Sequence, residues 1–585
     1  MRVKLRPDAH YAPVPQGVYW VRGDRSFVLS GPPALYTVVD DRLDALLDGA
    51  SLDELVAAAG DERARPVLEH VLRTLVAQDV LIDLDAVEGP LPDRETARTH
   101  VGLLSYLEAN CAEPYRAFAA VRAARVAVAG GGPGADAVRR GLAANGTGET
   151  TELHLPPSPD HLVPSTVVVL IDDCDAPLDL LAAASLLAPG TAVLPVAAEA
   201  AVALVGPVCT TPDELRAFQA VRARAADWQQ AGADSAAPRP ISAVLAGSLA
   251  AHAVLARLAG TGSGTRSGTE DGRRTAWVVH GHAAQTTVVP VPNAGLGPSW
   301  RRVDLTEALA TAAAAADQAD DPQEFPLDTG LTARWTGLAR WGRDLDLPQL
   351  PVSLVTAETV ADGPGRHFLG WGRDRAAAGL TAALAVLRHR AAQERTAESG
   401  VGVFPSAGLT QARWLVDGLL RQAGQDALTQ SVGTPLTWDE LGSIAVRSQW
   451  GLLRDFFDIP AELRLRPVAG LDWQLVSVLD EVTGEVLATQ WGPGPATAAY
   501  AALLAATARA QFRAAERTAP QARVQPSDAV GTWSLETVAD REIHDCLGRL
   551  LARARAMGLR PRAEQLVHDA AVGELSPVCG WVALG

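Results

Sequence analysis

Gly363 to Gln393 reads GPGRHFLGWGRDRAAAGLTAALAVLRHRAAQ. The glycines at 363, 365, 370 and 372 predict a loop, and the alanine- and leucine-rich run after them predicts a long helix. The register Ala383-Leu384-Ala385-Val386-Leu387-Arg388-His389-Arg390 gives that helix an apolar face and closes it on an arginine. Much of the chain on either side is expected to be organised around this entry from loop to helix.

Outward from that stretch, 585 residues are too many for one hydrophobic core and imply about three or four domains. The net charge of −17 disfavours non-specific nucleic-acid binding and suits a peptide or protein partner. No continuous apolar run reaches the roughly 18 residues of a membrane span, and MRVKLRPDAHYAP lacks the apolar centre of a signal peptide, so a cytoplasmic location is expected. Cys111, Cys174, Cys209, Cys546 and Cys579 form no C-x-x-C pair, which argues against a zinc ribbon or a disulfide framework and leaves buried thiols. Lys4 is the only lysine. Chemistry that needs a lysine on a phosphate or in a Schiff base would have to come from that one position.

Residues 1–90 predict a small winged-helix unit. Val18–Arg22 and Ser26–Ser30 alternate across Gly23-Asp24-Arg25 as a hairpin. Helices follow through Leu43–Leu47, from a Ser51/Glu54 capping box, and from Pro66 through Val76, before Val80–Ile82. This order resembles the PqqD-like element that binds leader peptides of ribosomal precursors. In that family the leader adds as a strand to the hairpin edge and packs on the third helix. The resemblance implies a leader site at Ser26, Phe27, Val28 and Leu29 with Leu72 and Arg73. A generic winged domain that docks internally is the alternative.

Residues 91–315 predict a helical connector and then an α/β domain. Val126–Ala129 is a strand that runs through Gly130–Gly134 into a helix, a geometry that aims backbone N–H groups at a phosphate. The loop resembles the G-x-G-G-x-G of ubiquitin-activating-type (ThiF-like) enzymes, with Ala129 at the first glycine and Gly131, Gly132 and Gly134 matching. Those enzymes end the second strand on an aspartate, where Glu152–Leu155 here runs into Pro156, and they use a phosphate-binding lysine that this domain lacks. Val167–Ile171 predicts the next parallel strand, and Asp172, Asp173 and Asp175 after it read as a solvated loop before they read as a metal site. Gly206-Pro207-Val208-Cys209 with Pro212 resembles a segment of the cyclodehydratase branch of this fold. Val289–Asn293, in the place of that branch's zinc cysteines, has none. His280 and His282 read as surface histidines, residues 259–276 as a mobile insertion and 316–328 as a linker.

From Leu331 the chain is similar to YcaO enzymes, which use ATP to activate a peptide amide for heterocycle formation. Leu331–Arg340 matches the family's opening strand, Trp473–Leu487 a strand pair, Gly492–Thr507 a second helix, and Gly558–Leu584 the closing strands. In that family two glutamates of A-L-x-E-A-x-E-R hold magnesium; they fall here on Val386 and His389, and Tyr500–Thr507 carries no acid. A hard divalent cation needs oxygen ligands that these side chains lack. The family's proline-rich carboxyl terminus is missing as well.

The resemblance therefore implies an α/β multidomain protein: a PqqD-like winged helix (1–90), a ThiF-like Rossmann-related domain (91–315) and a degenerate YcaO-like α+β domain (329–585). Such an Ocin-ThiF-like/YcaO-like chain is expected to be a non-catalytic partner in thiopeptide-type thiazole/oxazole biosynthesis. It would bind the precursor-peptide leader and present the Cys/Ser/Thr core to a separate YcaO cyclodehydratase, with an azoline dehydrogenase and a homodimer as further associations. No catalytic residue, metal or cofactor is assigned; Gly131, Gly132, Gly134 and Arg390 are expected as remnants of nucleotide sites. Two alternatives stand beside it. One is an ATP-dependent cyclodehydratase or adenylating enzyme drawing acids from Glu394, Glu398 or Asp455; the other is an assembly scaffold.

Overall fold

The computed structural model describes residues 1–32, 34–154, 167–173, 176–198, 202–231, 240–261, 274–280, 285–292, 299–316, 330–342, 347–360, 365–394, 402–516, 524–525 and 529–585. Asp175, Cys174, His282, Glu398 and most of the segments read as insertion and linker lie outside them. The chain divides into two units, Met1–Leu215 with Ala236–Val288, and Arg216–Ser235 with Val289–Gly585. The fold is mixed α/β.

In the first unit the predicted hairpin is present as Gly17–Arg22 and Arg25–Ser30, closed by Gly23 at φ +60°. A third strand, Ala9–Val14, pairs with Gly17–Arg22 as the other edge of this sheet, and a separate small sheet joins Ala50–Ser51, Arg2–Leu5 and Leu81–Asp83. Arg2–Leu5 and Ala50–Ser51 were not legible as such, because each is short and finds its partner far along the chain; Ala9–Val14 pairs with Gly17–Arg22 just across Pro15-Gln16. The capping box at Ser51 and Glu54 forms, and Pro66 opens the helix Arg65–Ala77. Val18, Trp20, Leu29, Leu72 and Leu75 fill the core. Lys4 pairs with the buried Glu108 at 2.6 Å, so the single lysine is a structural tether.

Beyond three helices between Arg94 and Ala123, a seven-stranded sheet has Val193–Ala198, Val167–Asp173, Arg125–Ala129 and Glu149–Glu152 as parallel neighbours. The second strand ends at Glu152, three residues before its expected end at Leu155. Val202–Val205 and Arg274–His280 extend the sheet antiparallel. Helices Gly132–Ala144 and Pro240–Ala259 pack together; Gly247 lies so close to Gly134 that a Cβ would meet its carbonyl oxygen at 2.3 Å. The second of these helices is long and apolar enough to cross a membrane, yet Ala246, Ala250 and Val254 lie in the core of this unit.

In the second unit, three four-stranded sheets are backed by the long helices Arg375–Gln393, Gln411–Gln430 and Pro495–Glu516. The stretch read as a loop before the first of these is corrected: His367–Gly372 is a strand paired with Ser353–Thr359. Its glycines serve close approach to the helix, since a Cβ on Gly370 would sit 2.1 Å from the Ala378 carbonyl oxygen. The opening strand expected over Leu331–Arg340 is reduced to Ala339–Trp341, because Leu331–Gly337 turns back on itself through hydrogen bonds from Gly337 and Leu338. Ser299–Arg302, which the sequence division leaves in the middle portion, pairs with Pro561–Asp569 in this unit. The pair Trp473–Asp480 and Val486–Pro493 and the closing pair Pro561–Asp569 and Gly573–Leu584 are present.

Candidate functional site

The hairpin strand Arg25–Ser30 is an edge: among the described residues it pairs only with Gly17–Arg22. Counting from the closing pair Arg22/Arg25 of a two-residue turn, Ser26, Val28 and Ser30 fall at non-hydrogen-bonded positions. Their N–H and C=O groups therefore point to the open side. Alternation sends Phe27 and Leu29 into the core and leaves Val28 exposed at 42%. Of the two helix positions, Leu72 is a core residue and Arg73 is exposed, ion-paired with Glu69. Leu72 belongs to the apolar core of this part of the unit.

At the glycine loop, Gly130 and Gly132 take φ of +106° and +82°, and Gly131 precedes the helix. Gly134 is buried inside the helix against Pro240–Ala259. A Cβ on Gly132 would lie 2.8 Å from the Asp173 carboxylate. Asp173 is 5% exposed, so the solvated loop expected there is corrected: its carboxylate is packed against the turn. Asp172 accepts a hydrogen bond from the Leu178 N–H. A phosphate approaching this turn would meet a carboxylate already beside it.

The second unit holds a cleft of about 260 Å³ beside the helix Arg375–Gln393. Arg388 and His389 of that helix, Phe368 and Trp371 of the preceding strand, Arg421 of Gln411–Gln430, and Thr532 and Trp533 face it. No carboxylate is among the described residues that line it. Val386 is 2% exposed in the core, and His389 packs its ring 5.3 Å from that of Phe368. Neither is placed as a hard-metal ligand. Of the acids considered as replacements, Glu394 pairs with Arg390 and Asp455 with Arg454. Arg390 is turned away to the buried Asp569 at 3.0 Å; it does not line the cleft.

Behind the cleft lies Asp417, fully buried. It accepts from Arg388 Nε at 2.9 Å, Arg421 Nε at 2.7 Å, the Ala407 N–H at 3.0 Å and the Thr532 hydroxyl. Burial alone would push its carboxyl up, but Arg388 and Arg421 overcome this and hold it at about 2. Nearby Glu536 goes the other way: burial, with a contribution from Asp417, raises it to about 7 against the pull of Arg413 and Arg388. These residues sit far apart in sequence, and only Arg388 lies in the stretch that the sequence singles out. Among the described residues no group of three His, Cys, Asp or Glu side chains could hold a metal ion, and Cys111, Cys209, Cys546 and Cys579 are buried thiols. The cleft sets arginines and aromatic rings side by side, and its Thr532 hydroxyl is given to Asp417.

No protein-family model and no curated protein matches the chain. Solved structures do. A heterocyclase in complex with substrate and cofactor aligns over 100% of this chain and 94% of its own, with a TM-score of 0.60 at 12% identity. The heterocyclase TruD aligns over the same shares with a TM-score of 0.54, also at 12% identity. The E. coli MccB–ATP structure covers 50% of this chain and 97% of its own, with a TM-score of 0.34 and 11% identity. The first two share this chain's fold from end to end.

Proposed function

We propose that this chain is a non-catalytic partner in azoline formation on a ribosomal peptide. It takes the precursor's leader as an added strand along Arg25–Ser30 and presents the Cys/Ser/Thr core to a separate YcaO cyclodehydratase. The fold shared with two heterocyclases supports the pathway class. The observation that carries the non-catalytic half is the cleft itself. Where the resemblance would place magnesium-bearing carboxylates stand Val386, in the core, and His389, and no carboxylate is among the described residues that line the cleft. The guanidinium groups of Arg388 and Arg421 would repel a divalent cation brought there. Presentation can still accelerate modification by raising effective concentration, with no catalytic group on the presenting chain.

The open edge makes the leader half testable. Val28→Pro deletes an outward N–H that the hairpin itself does not use, so the unit should stay folded. Losing that bond and disturbing its neighbours should weaken a labelled leader peptide by about 5- to 150-fold in fluorescence anisotropy. Unchanged affinity in a folded variant would remove the leader from this edge. ATP turnover by the purified chain with precursor peptide, in the absence of a YcaO partner, would favour the alternative of a cyclodehydratase in its own right.

A further inference from the structure

We propose that the open edge of Arg25–Ser30 pairs with the same edge of a second copy of this chain, giving a reversible homodimer that a bound leader strand dissociates. The strand reads Ser26-Phe27-Val28-Leu29-Ser30, nearly the same in either direction, with a serine at each end and apolar residues between. Ser26, Val28 and Ser30 are the positions whose N–H and C=O groups face outward, and all three are exposed. An antiparallel partner centred on Val28 therefore meets the edge in register: Val28 faces the partner's Val28, Ser26 faces the partner's Ser30, and Ser30 faces the partner's Ser26. Each pair exchanges two backbone hydrogen bonds, and the same patch serves both copies, as a two-fold axis requires. Arg25 falls opposite the partner's Gly31, so no like charges are brought face to face along the paired strands.

The other edge of this sheet is closed to such pairing. On Ala9–Val14, counted from the closing pair Val14/Gly17, the outward positions are Ala9, Tyr11 and Pro13. Ala9 gives its N–H to the Arg6 carbonyl at 3.1 Å, and Pro13 has none to give. Proteins blunt exposed edges with such devices, and Arg25–Ser30 has neither a proline nor a bulge. One open edge per copy closes a pair and does not extend into a filament. Three residue pairs cover much less than the roughly 800 Å² a side of a standard stable interface, so the dimer is weak, and a leader strand that takes the same backbone groups can displace it. That competition regulates the edge assigned above and rests on the leader reading; the dimer does not.

Sedimentation equilibrium on the full chain at low salt tests this, and the mean mass should rise from one chain toward two as concentration climbs through the micromolar range. Ser26→Asp with Ser30→Asp in one chain sets like charges opposite each other in both outer pairs, and Ser26→Arg with Ser30→Arg does the same. Each double variant should dimerise about 2- to 30-fold more weakly than the wild type, and an equimolar mixture of the two should recover a mixed dimer. Both serines are exposed, so neither variant threatens folding. Only the antiparallel register centred on Val28 sets Ser26 against the partner's Ser30, which makes the mixed dimer specific to this edge. Adding the labelled leader peptide to the wild type should return the mass to one chain with one peptide. A single-chain mass at every concentration would overturn the proposal, as would a dimer that both double variants leave intact or one that persists when anisotropy shows the leader bound. A leader that binds nowhere, beside a dimer that follows the charge pairs, would sink the leader reading and leave the dimer standing.

Discussion

The buried Asp417 and the half-buried Glu536 sit on opposite sides of the ordinary carboxyl range, and the difference lies in their partners. Asp417 has two arginines, a hydroxyl and a backbone N–H, whereas Glu536 has an Oε2 with no hydrogen-bond partner among the described residues. Its folded-state value of about 7 lies above the 4.5 of an unperturbed glutamate. Such a group contributes its full stability below the lower value and loses it as pH rises through the higher one. Glu536→Gln should therefore match the wild type near pH 4.5 and exceed it by about 3 kcal/mol near pH 8, in urea titrations followed by tryptophan fluorescence. Equal stabilities at pH 8 would mean that Glu536 is solvated or paired. Asp417 and Asp569, both lowered, lose their contribution only in acid and do not enter that window. None of this was legible in the sequence. Arg388, Asp417 and Thr532 meet through tertiary packing across 29 and 115 residues.

At the scale of elements, one strand-to-helix joint recurs three times in the second unit. A Cβ on Gly372, Gly408 or Gly492 would lie 2.7, 2.5 and 2.5 Å from the backbone nitrogen six residues on, Ala378, Trp414 or Ala498. Each glycine is in a strand, and the helix that follows begins close against it. A glycine cluster before a helix is ordinarily a loop signal, which is why the quoted stretch predicts one. Close backbone approach is the other meaning of a strand glycine, and here it prevails. The helices themselves were legible because their apolar runs are long, and the capping box at Ser51 because its chemistry is local. Gly372→Ala should cost about 3 kcal/mol, since the obstacle is backbone that cannot rotate aside. Gly102→Ala, on an open face of Val101–Asn110, should stabilise by about 0.5 kcal/mol. Thermal unfolding reads both, and a neutral Gly372→Ala would show that the joint is looser than its geometry.

At the scale of the whole molecule, neither of the two units is continuous in sequence. The segment 216–235 belongs with the second unit although about fifty residues of the first follow it in sequence. Local composition cannot report such a return, because the contacts that decide it are single side chains. Arg224 donates to the carbonyls of Thr336 and Gly337 and to Asp569, and the Trp228 indole N–H donates to Gly337 at 3.0 Å. Asp569 has no exposed surface and is shared with Arg390. Removing Arg224 leaves two buried carbonyls without that donor and Asp569 with one arginine fewer, a loss that water cannot repair in a closed site. Arg224→Ala is expected to destabilise the second unit by about 2–4 kcal/mol, and Arg224→Lys by nearly as much, because an ammonium cannot span three acceptors in a plane. A fragment starting at residue 329 would in addition lose Ser299–Arg302 from its sheet and should fail to give a cooperative unfolding transition. If that fragment unfolds cooperatively with the stability of the full chain, the helix carrying Arg224 is an accessory and the sequence division at 329 marks a true domain.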